Sequence, residues 1–151
     1  MTGRLLPAGH YGVDDVAPGD RIETGQHIVT AADIDGFANL SGDRFEIHMD
    51  DAAARVHGFP GRVAHGLLVL SLVDGLKNRA AARFRAIASL GWDWSFRGPV
   101  FIGDEIGATI TVADKRGVTK PDRGILTLCF DVTNQNGETV QRGTNLLLAY
   151  R

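Results

Sequence analysis

Apolar and polar positions alternate along this chain with different periods in different stretches, and those periods predict its elements. Residues 1–19 are rich in Gly, Pro and Asp and hold no stable period, which predicts an arm leading into a first strand over 21–29. Thr30-Ala-Ala-Asp33 is a helix start, because the Thr hydroxyl and the Asp carboxylate can each satisfy the other's backbone N–H. Ile34, Phe37 and Ala38 follow at i, i+3 and i+4 as the apolar stripe of a short helix, and Gly42 ends it. A second short helix is expected from Asp50 or Asp51 through Arg55, punctuated by Gly58-Phe-Pro-Gly61.

From Val63 to Leu76 apolar residues point around nearly the whole circumference of a helix, and a helix apolar on all sides is expected to be buried on all sides. The chain then changes to a period of two. Ala88, Leu90, Trp92, Trp94 and Phe96 alternate with polar or small residues, as do Ile106 to Val112 and Leu126 to Val132. That is the signature of strands with one buried face. Asn136-Gly137 before the strand carrying Val140, Arg142 and Thr144 marks a hairpin. These elements predict one α+β domain over residues 1–151, a curved antiparallel sheet wrapped around one long buried helix.

Composition narrows the function classes. A chain of 151 residues can bury about 68–70% of its unfolded surface without disulfides or metal. Its one cysteine, Cys129, excludes a disulfide framework and a multi-cysteine zinc site. Sixteen Lys and Arg against eighteen Asp and Glu leave a net charge of −2, which argues against a basic nucleic-acid footprint. The opening residues lack the apolar core of a signal peptide, and the apolar run 67–73 is far short of the roughly 20 residues of a membrane span. A soluble cytoplasmic protein with no nucleic-acid or membrane partner is the expectation.

The candidate chemistry lies in Ser41-Gly-Asp-Arg-Phe-Glu-Ile-His48. Asp43 and His48 are five positions apart, about 140° around a helix or roughly 17 Å along a strand. They converge only if this segment is an irregular turn, which Gly42 permits. A convergent Asp and His can share one water, one group accepting its proton while the other donates elsewhere. By spacing alone, Asp43 can equally be a turn residue and His48 a packing histidine. The second element is Arg62-Val-Ala-His-Gly-Leu67 at the start of the apolar helix. Helix N-termini present unpaired N–H groups and partial positive charge, so the Gly66 N–H could hold a carbonyl oxygen. Gly66 could also simply allow close packing on the sheet, and the two roles are compatible. Cys129 has no base beside it, and His10, His27, His57 and His65 fit no metal-binding spacing, so no metal is expected.

The ordered set Asp43–His48, Pro60-Gly-Arg-Val-Ala-His-Gly66 and Pro99-Val-Phe-Ile-Gly-Asp-Glu105 resembles the MaoC-like dehydratases, the (R)-specific enoyl-CoA hydratase branch of the hotdog fold. The resemblance runs from about residue 11 to the C-terminus. It implies that Asp43 and His48 activate a water that adds to a trans-2-enoyl-CoA, giving an (R)-3-hydroxyacyl-CoA, or leaves in reverse. Gly66 would hold the thioester oxygen, and coenzyme A would enter only as part of the substrate, with no cofactor. The family signature usually reads Asp-x-Asn-Pro-x-His, whereas Phe45 and Glu46 stand here at the Asn and Pro positions. In this the chain is more similar to the hydratase-type domain of bacterial phenylacetate breakdown, which acts on a ring-derived CoA thioester, and Phe45 is an acyl-pocket candidate. Asp74 stands where relatives often carry Ser. Lys77, Arg79, Arg83 and Arg85, a basic cluster just past the helix, are candidates for the CoA phosphates, although a charge run is often only a solvated face. Hotdog domains also host acyl-CoA thioesterases and could serve as non-catalytic acyl-CoA-binding subunits, so both remain alternatives. At least a homodimer is expected, since a single curved sheet leaves an edge to cover.

Overall fold

Four long strands carry most of the sheet: β5 (Ala86–Phe96), β6 (Glu105–Gly117), β7 (Arg123–Thr133) and β8 (Thr139–Tyr150). Their predecessors are β1 (Gly9–Tyr11), β2 (Arg21–Glu23), β3 (His27–Ile28) and β4 (Ala82–Phe84), with helices α1 (Ala31–Ser41), α2 (Glu46–Met49), α3 (Asp51–Val56) and α4 (Gly66–Asn78) between β3 and β4. The computed structural model describes residues 3–151. The main sheet is antiparallel in the order β2-β6-β7-β8-β5, and β3 also pairs with β6. Both β2 and β3 lie within the predicted first strand, which breaks between them. There Thr24 leaves the regular ladder and its hydroxyl accepts from the Ala108 N–H at 2.9 Å.

Local signals act as read. Thr30 Oγ accepts from the Asp33 N–H at 3.1 Å and Asp33 Oδ2 from the Thr30 N–H at 3.0 Å, so both ends of the capping box are closed. Gly42 closes α1 at φ +78°, a conformation that side chains with a Cβ adopt at a cost. The β7–β8 hairpin turns at Gly137, φ +75°, where Asn134 Oδ1 accepts from two backbone N–H groups.

The inner face of the sheet packs on α4. Ile110, Val112, Leu128 and Phe130 from the sheet meet Val69 and Val73 of the helix in one core, and each such side chain contributes about 1.5–3 kcal/mol. Trp92 and Trp94 stand edge-on to Phe130, with ring centroids 5.3 and 5.4 Å away.

Three expectations need correction. The N-terminal segment is not a loose arm: β1 pairs in parallel with β4, and Leu6, Val13 and Val16 are buried in the core. Its partner lies some seventy residues away, so no local period announces it. The central helix begins at Gly66 rather than Val63, and it is not buried on all sides, since Leu67 is 59% exposed and Ser71 is exposed. The apolar alternation of β5 also does not face the core throughout, because Leu90 and Phe96 are 50% and 57% exposed on the edge strand. Among the described residues no helix is long and apolar enough to cross a membrane.

Candidate active site

The turn after α1 brings the predicted pair together. Beyond Gly42, Ser41 Oγ accepts from the Asp43 N–H at 3.1 Å, and Asp43 Oδ1 accepts from the Phe45 N–H at 3.2 Å. This doubly held turn leads directly into α2, a single turn of helix that carries His48 inward. The segment Arg62–Val63 then fixes His48 from the other side. Val63 N–H donates to the Ile47 carbonyl at 3.0 Å, and Arg62 Nε donates to the His48 carbonyl at 2.6 Å. The Arg62 guanidinium also pairs with Asp35 on α1, so one side chain ties α1 to α2.

The protons on the rings follow from their partners. His48 Nδ1 is 2.6 Å from the Val63 carbonyl, which can only accept, so Nδ1 carries the hydrogen and Nε2 keeps a free lone pair. His65 Nε2 is 2.8 Å from the Asp43 backbone carbonyl and is the donor by the same reasoning. That leaves His65 Nδ1 as a buried acceptor with no partner among the described residues. The two imidazoles stack at 3.9 Å with 26° between their planes, and Phe37 stands edge-on to His65 at 4.8 Å. Burial pushes the His48 pKa below its usual 6.5, the Val63 carbonyl opposes that, and neighbouring His65 adds to the depression.

Asp43, His48 and His65 each place a ligand-type atom within 4.8 Å of the others. One water reaches both partners across such a gap at ordinary hydrogen-bond lengths. A metal ion fits less well. An imidazole binds a metal through a lone pair in its own ring plane, and two stacked, nearly parallel rings cannot both aim at one ion without unstacking. The arrangement suits a shared water and a proton held on a neutral histidine.

His48 opens into a cavity of about 360 Å³ whose walls include Phe59, Gly66, Phe96, Arg97 and Gln141. Gly66 is the first residue of α4, and His65 before it supplies no side-chain cap, so the N–H groups of that turn have no intrahelical acceptor. A Cβ at Gly66 would lie 2.5 Å from the Phe96 ring. Close packing against Phe96 and a place on the cavity wall therefore coexist at this residue.

Other sequence candidates fall elsewhere. Phe45 is 55% exposed and lies outside the cavity wall, edge-on to His48 at 6.1 Å; the aromatic walls are Phe59 and Phe96. Glu46 pairs with His57 at 2.7 Å on the surface. Lys77 is buried, 2.7 Å from Asp74 in a close ion contact and 5.7 Å from the centre of the Trp92 ring. Arg83 donates to His10, and Arg85 sits over Tyr150. Lys77 lies in the last turn of α4, about 17 Å along it from Gly66. Arg79 caps the helix, Arg83 is on β4 and Arg85 follows it, and Lys77, being buried, does not share a surface cluster with the arginines. Arg97 is the cation in the cavity wall. Sequence reasoning missed His65 as a member of the site and Gln141 as part of its wall.

A family profile described as MaoC like domain matches residues 15–132. The chain is 40% identical over 121 residues to protein MaoC of Klebsiella aerogenes, covering 80% of this chain but only 35% of that protein, about a third of its length. It is 35% identical over 113 residues to an (R)-specific enoyl-CoA hydratase of Aeromonas caviae, covering 75% of this chain and 81% of the relative. The crystal structure of a MaoC-like dehydratase from Rhodospirillum rubrum superposes with a TM-score of 0.85 at 33% identity, covering 93% of this chain and 97% of that one.

Proposed function

This chain belongs to the MaoC-like domain family, and on that footing we propose that it is a hydro-lyase acting on a trans-2-enoyl-CoA or, in reverse, an (R)-3-hydroxyacyl-CoA. The observation that carries this reading is the approach of the Asp43 carboxylate to within 4.8 Å of the His48 ring, with His48 on the wall of a cavity that also contains the start of α4, while Asp43 stands outside that wall. In the hydration direction, water bonds through its oxygen to Cβ while His48 Nε2 takes one of its protons and Asp43 accepts a hydrogen bond from the other hydrogen. Electron density moves onto the thioester oxygen, where the Gly66 N–H donates to it. The proton then passes from His48 to Cα, and the net change is one water added across the double bond.

The experiment is a paired assay on a short linear trans-2-enoyl-CoA, following conjugated-thioester absorbance and free thiol together. Absorbance is expected to fall with no thiol released. Thiol release would replace this reading with a thioesterase, and no change in either signal would replace it with a binding subunit. The same assay read against pH carries a sign. His48 must be neutral to accept the proton, and its pKa is depressed, so kcat/KM is expected to hold at pH 6.5 and decline only below it. A decline centred at or above 6.5 would contradict a buried His48 as the base.

The unit in solution is proposed to be a homodimer. Strand β5 ends the sheet and leaves one edge unpaired, with Leu90 and Phe96 half exposed along it and Leu67 exposed on α4. Pairing two copies edge to edge would continue the sheet and cover these side chains. Sedimentation velocity at micromolar concentration is expected to give twice the chain mass; a monomer throughout would remove the proposal.

A further inference from the structure

Gln141 is the least expected residue of the cavity wall. It stands on β8 at an inward position, 2% exposed, opposite the buried Val132 of β7, and with Asn145 it is one of two buried polar residues of that strand. Its amide is fully oriented by two partners of opposite kind. Trp94 Nε1, which can only donate, lies 2.8 Å from Oε1, and the Gly66 carbonyl, which can only accept, lies 3.0 Å from Nε2. The side chain therefore has one orientation, and flipping it would break both bonds inside a site that water does not easily repair.

Gly66 is where such a hold has consequences. With no Cβ, its backbone torsions are the freest in the turn, and no side chain caps the helix there. On its N-terminal side the chain is tied down by His65, whose ring donates to the Asp43 carbonyl. The peptide that carries the Gly66 N–H is held through the His65 carbonyl, which accepts from the Val69 N–H at 3.1 Å, and on the C-terminal side Gln141 grips the carbonyl of the next peptide, that of Gly66. Between these tethers the Gly66 N–H has a fixed direction, as a preorganised donor to a developing oxyanion requires.

We propose that Gln141, itself oriented by Trp94, is a positioning residue that holds the Gly66–Leu67 peptide and so limits rotation about Gly66, keeping the N–H of the preceding peptide aimed at the thioester oxygen. This rests on the hydro-lyase reading above and extends it from the loop and helix to strands β5 and β8. The relay acts on the step in which charge builds on oxygen, so its loss lowers kcat and leaves KM nearly unchanged.

The test uses three variants of the full chain in the enoyl-CoA assay, with folding checked by circular dichroism and thermal melting. Gln141→Met removes both bonds at similar volume and is expected to lower kcat about 10- to 100-fold, with KM within about threefold, the size of effect that small misplacements produce. Trp94→Phe leaves Gln141 in place but frees its amide, and is expected to lower kcat several-fold in the same direction. Gln141→Glu adds a readout that packing alone does not move. When protonated its carboxyl can donate to the Gly66 carbonyl as the amide does, and when ionised it sets a negative oxygen against that carbonyl. Its kcat relative to wild type is expected to rise as pH falls from about 8 to about 5.5, because burial shifts a carboxyl's titration upward into that range. Wild-type kcat in folded Gln141→Met or Trp94→Phe, or a pH-independent ratio for Gln141→Glu, would overturn the inference. Asp43→Asn, run alongside, separates the two levels. If it stays active, the hydro-lyase site itself is wrong. If it is dead while Gln141→Met turns over normally, only the role of Gln141 falls.

Discussion

Asp43→Asn is expected to abolish hydration, lowering kcat by about 10³-fold or more, while KM and thermal stability stay close to wild type. The expectation of an intact fold comes from the geometry. Asparagine has the same shape, its carbonyl can still accept the Phe45 N–H at the position Asp43 Oδ1 holds, and the residue is exposed. Exposed substitutions of this kind move stability by about 0.5 kcal/mol or less. What disappears is the negative charge beside the water and the neutral imidazole, and loss of a positioned acid–base group costs about 10²–10⁴-fold.

His48→Asn makes the complementary cut. The asparagine amide can replace Nδ1–H as donor to the Val63 carbonyl, but nothing replaces Nε2. If Asp43 and His48 hold one water between them, removing either leaves the water unusable, and the double variant is expected to be no slower than the worse single one. Multiplying losses would mean that the two residues act at separate steps. The measurement is kcat from absorbance at saturating substrate for the four proteins of the cycle. Wild-type turnover in folded Asp43→Asn would sink the shared-water mechanism outright.

How far such a site is legible in sequence depends on where its partners lie. The capping box of α1, the left-handed Gly42 and the Asn136-Gly137 hairpin are local signals, and each produces the structure its residues dictate. The alternation in β6 and β7 is equally readable because one face of each meets the core. The same alternation in β5 reveals an apolar face but not what covers it, and in one chain half of that face is open. His65 escaped notice because its role is tertiary. It sits seventeen positions from His48, and only the fold stacks the two rings. Gln141 escaped for the opposite reason: a polar residue in an alternating strand reads as solvent-facing until the register with β5 and β7 turns it inward. The N-terminal segment has scattered apolar residues, Leu6, Val13 and Val16, with no period that a local reading could use. Phe45, conspicuous in sequence, lies outside the cavity because α2 turns His48 inward and leaves its own cap residue in solvent.

Gly66→Ala is expected to lower kcat/KM by about 10²-fold while changing the melting temperature little, and the reason is the Phe96 ring. A Cβ built at Gly66 would lie 2.5, 2.6 and 2.7 Å from three carbons of that ring, so something must move. The backbone of α4 is anchored at both sides of Gly66, whereas Phe96 is 57% exposed at the sheet edge and can swing. The ring therefore gives way, and alanine's better helix propensity, worth about 1 kcal/mol over glycine, offsets part of the repacking cost. Activity has no such compensation. Phe96 and Gly66 both line the cavity, so the displaced ring and the new methyl group crowd the space in front of the N–H that must reach the thioester oxygen, and loss of one oxyanion donor costs about 10²–10³-fold. A double-mutant cycle identifies the cause. In a Phe96→Ala background the added methyl meets no ring, and Gly66→Ala is expected to cost only a few-fold more. Residues in contact couple in this way, whereas independent ones add. Equal penalties in the two backgrounds would show that the methyl group blocks the N–H directly and that the ring is a bystander, while wild-type kcat/KM in Gly66→Ala would show that neither the methyl group nor the displaced ring reaches the path to that N–H.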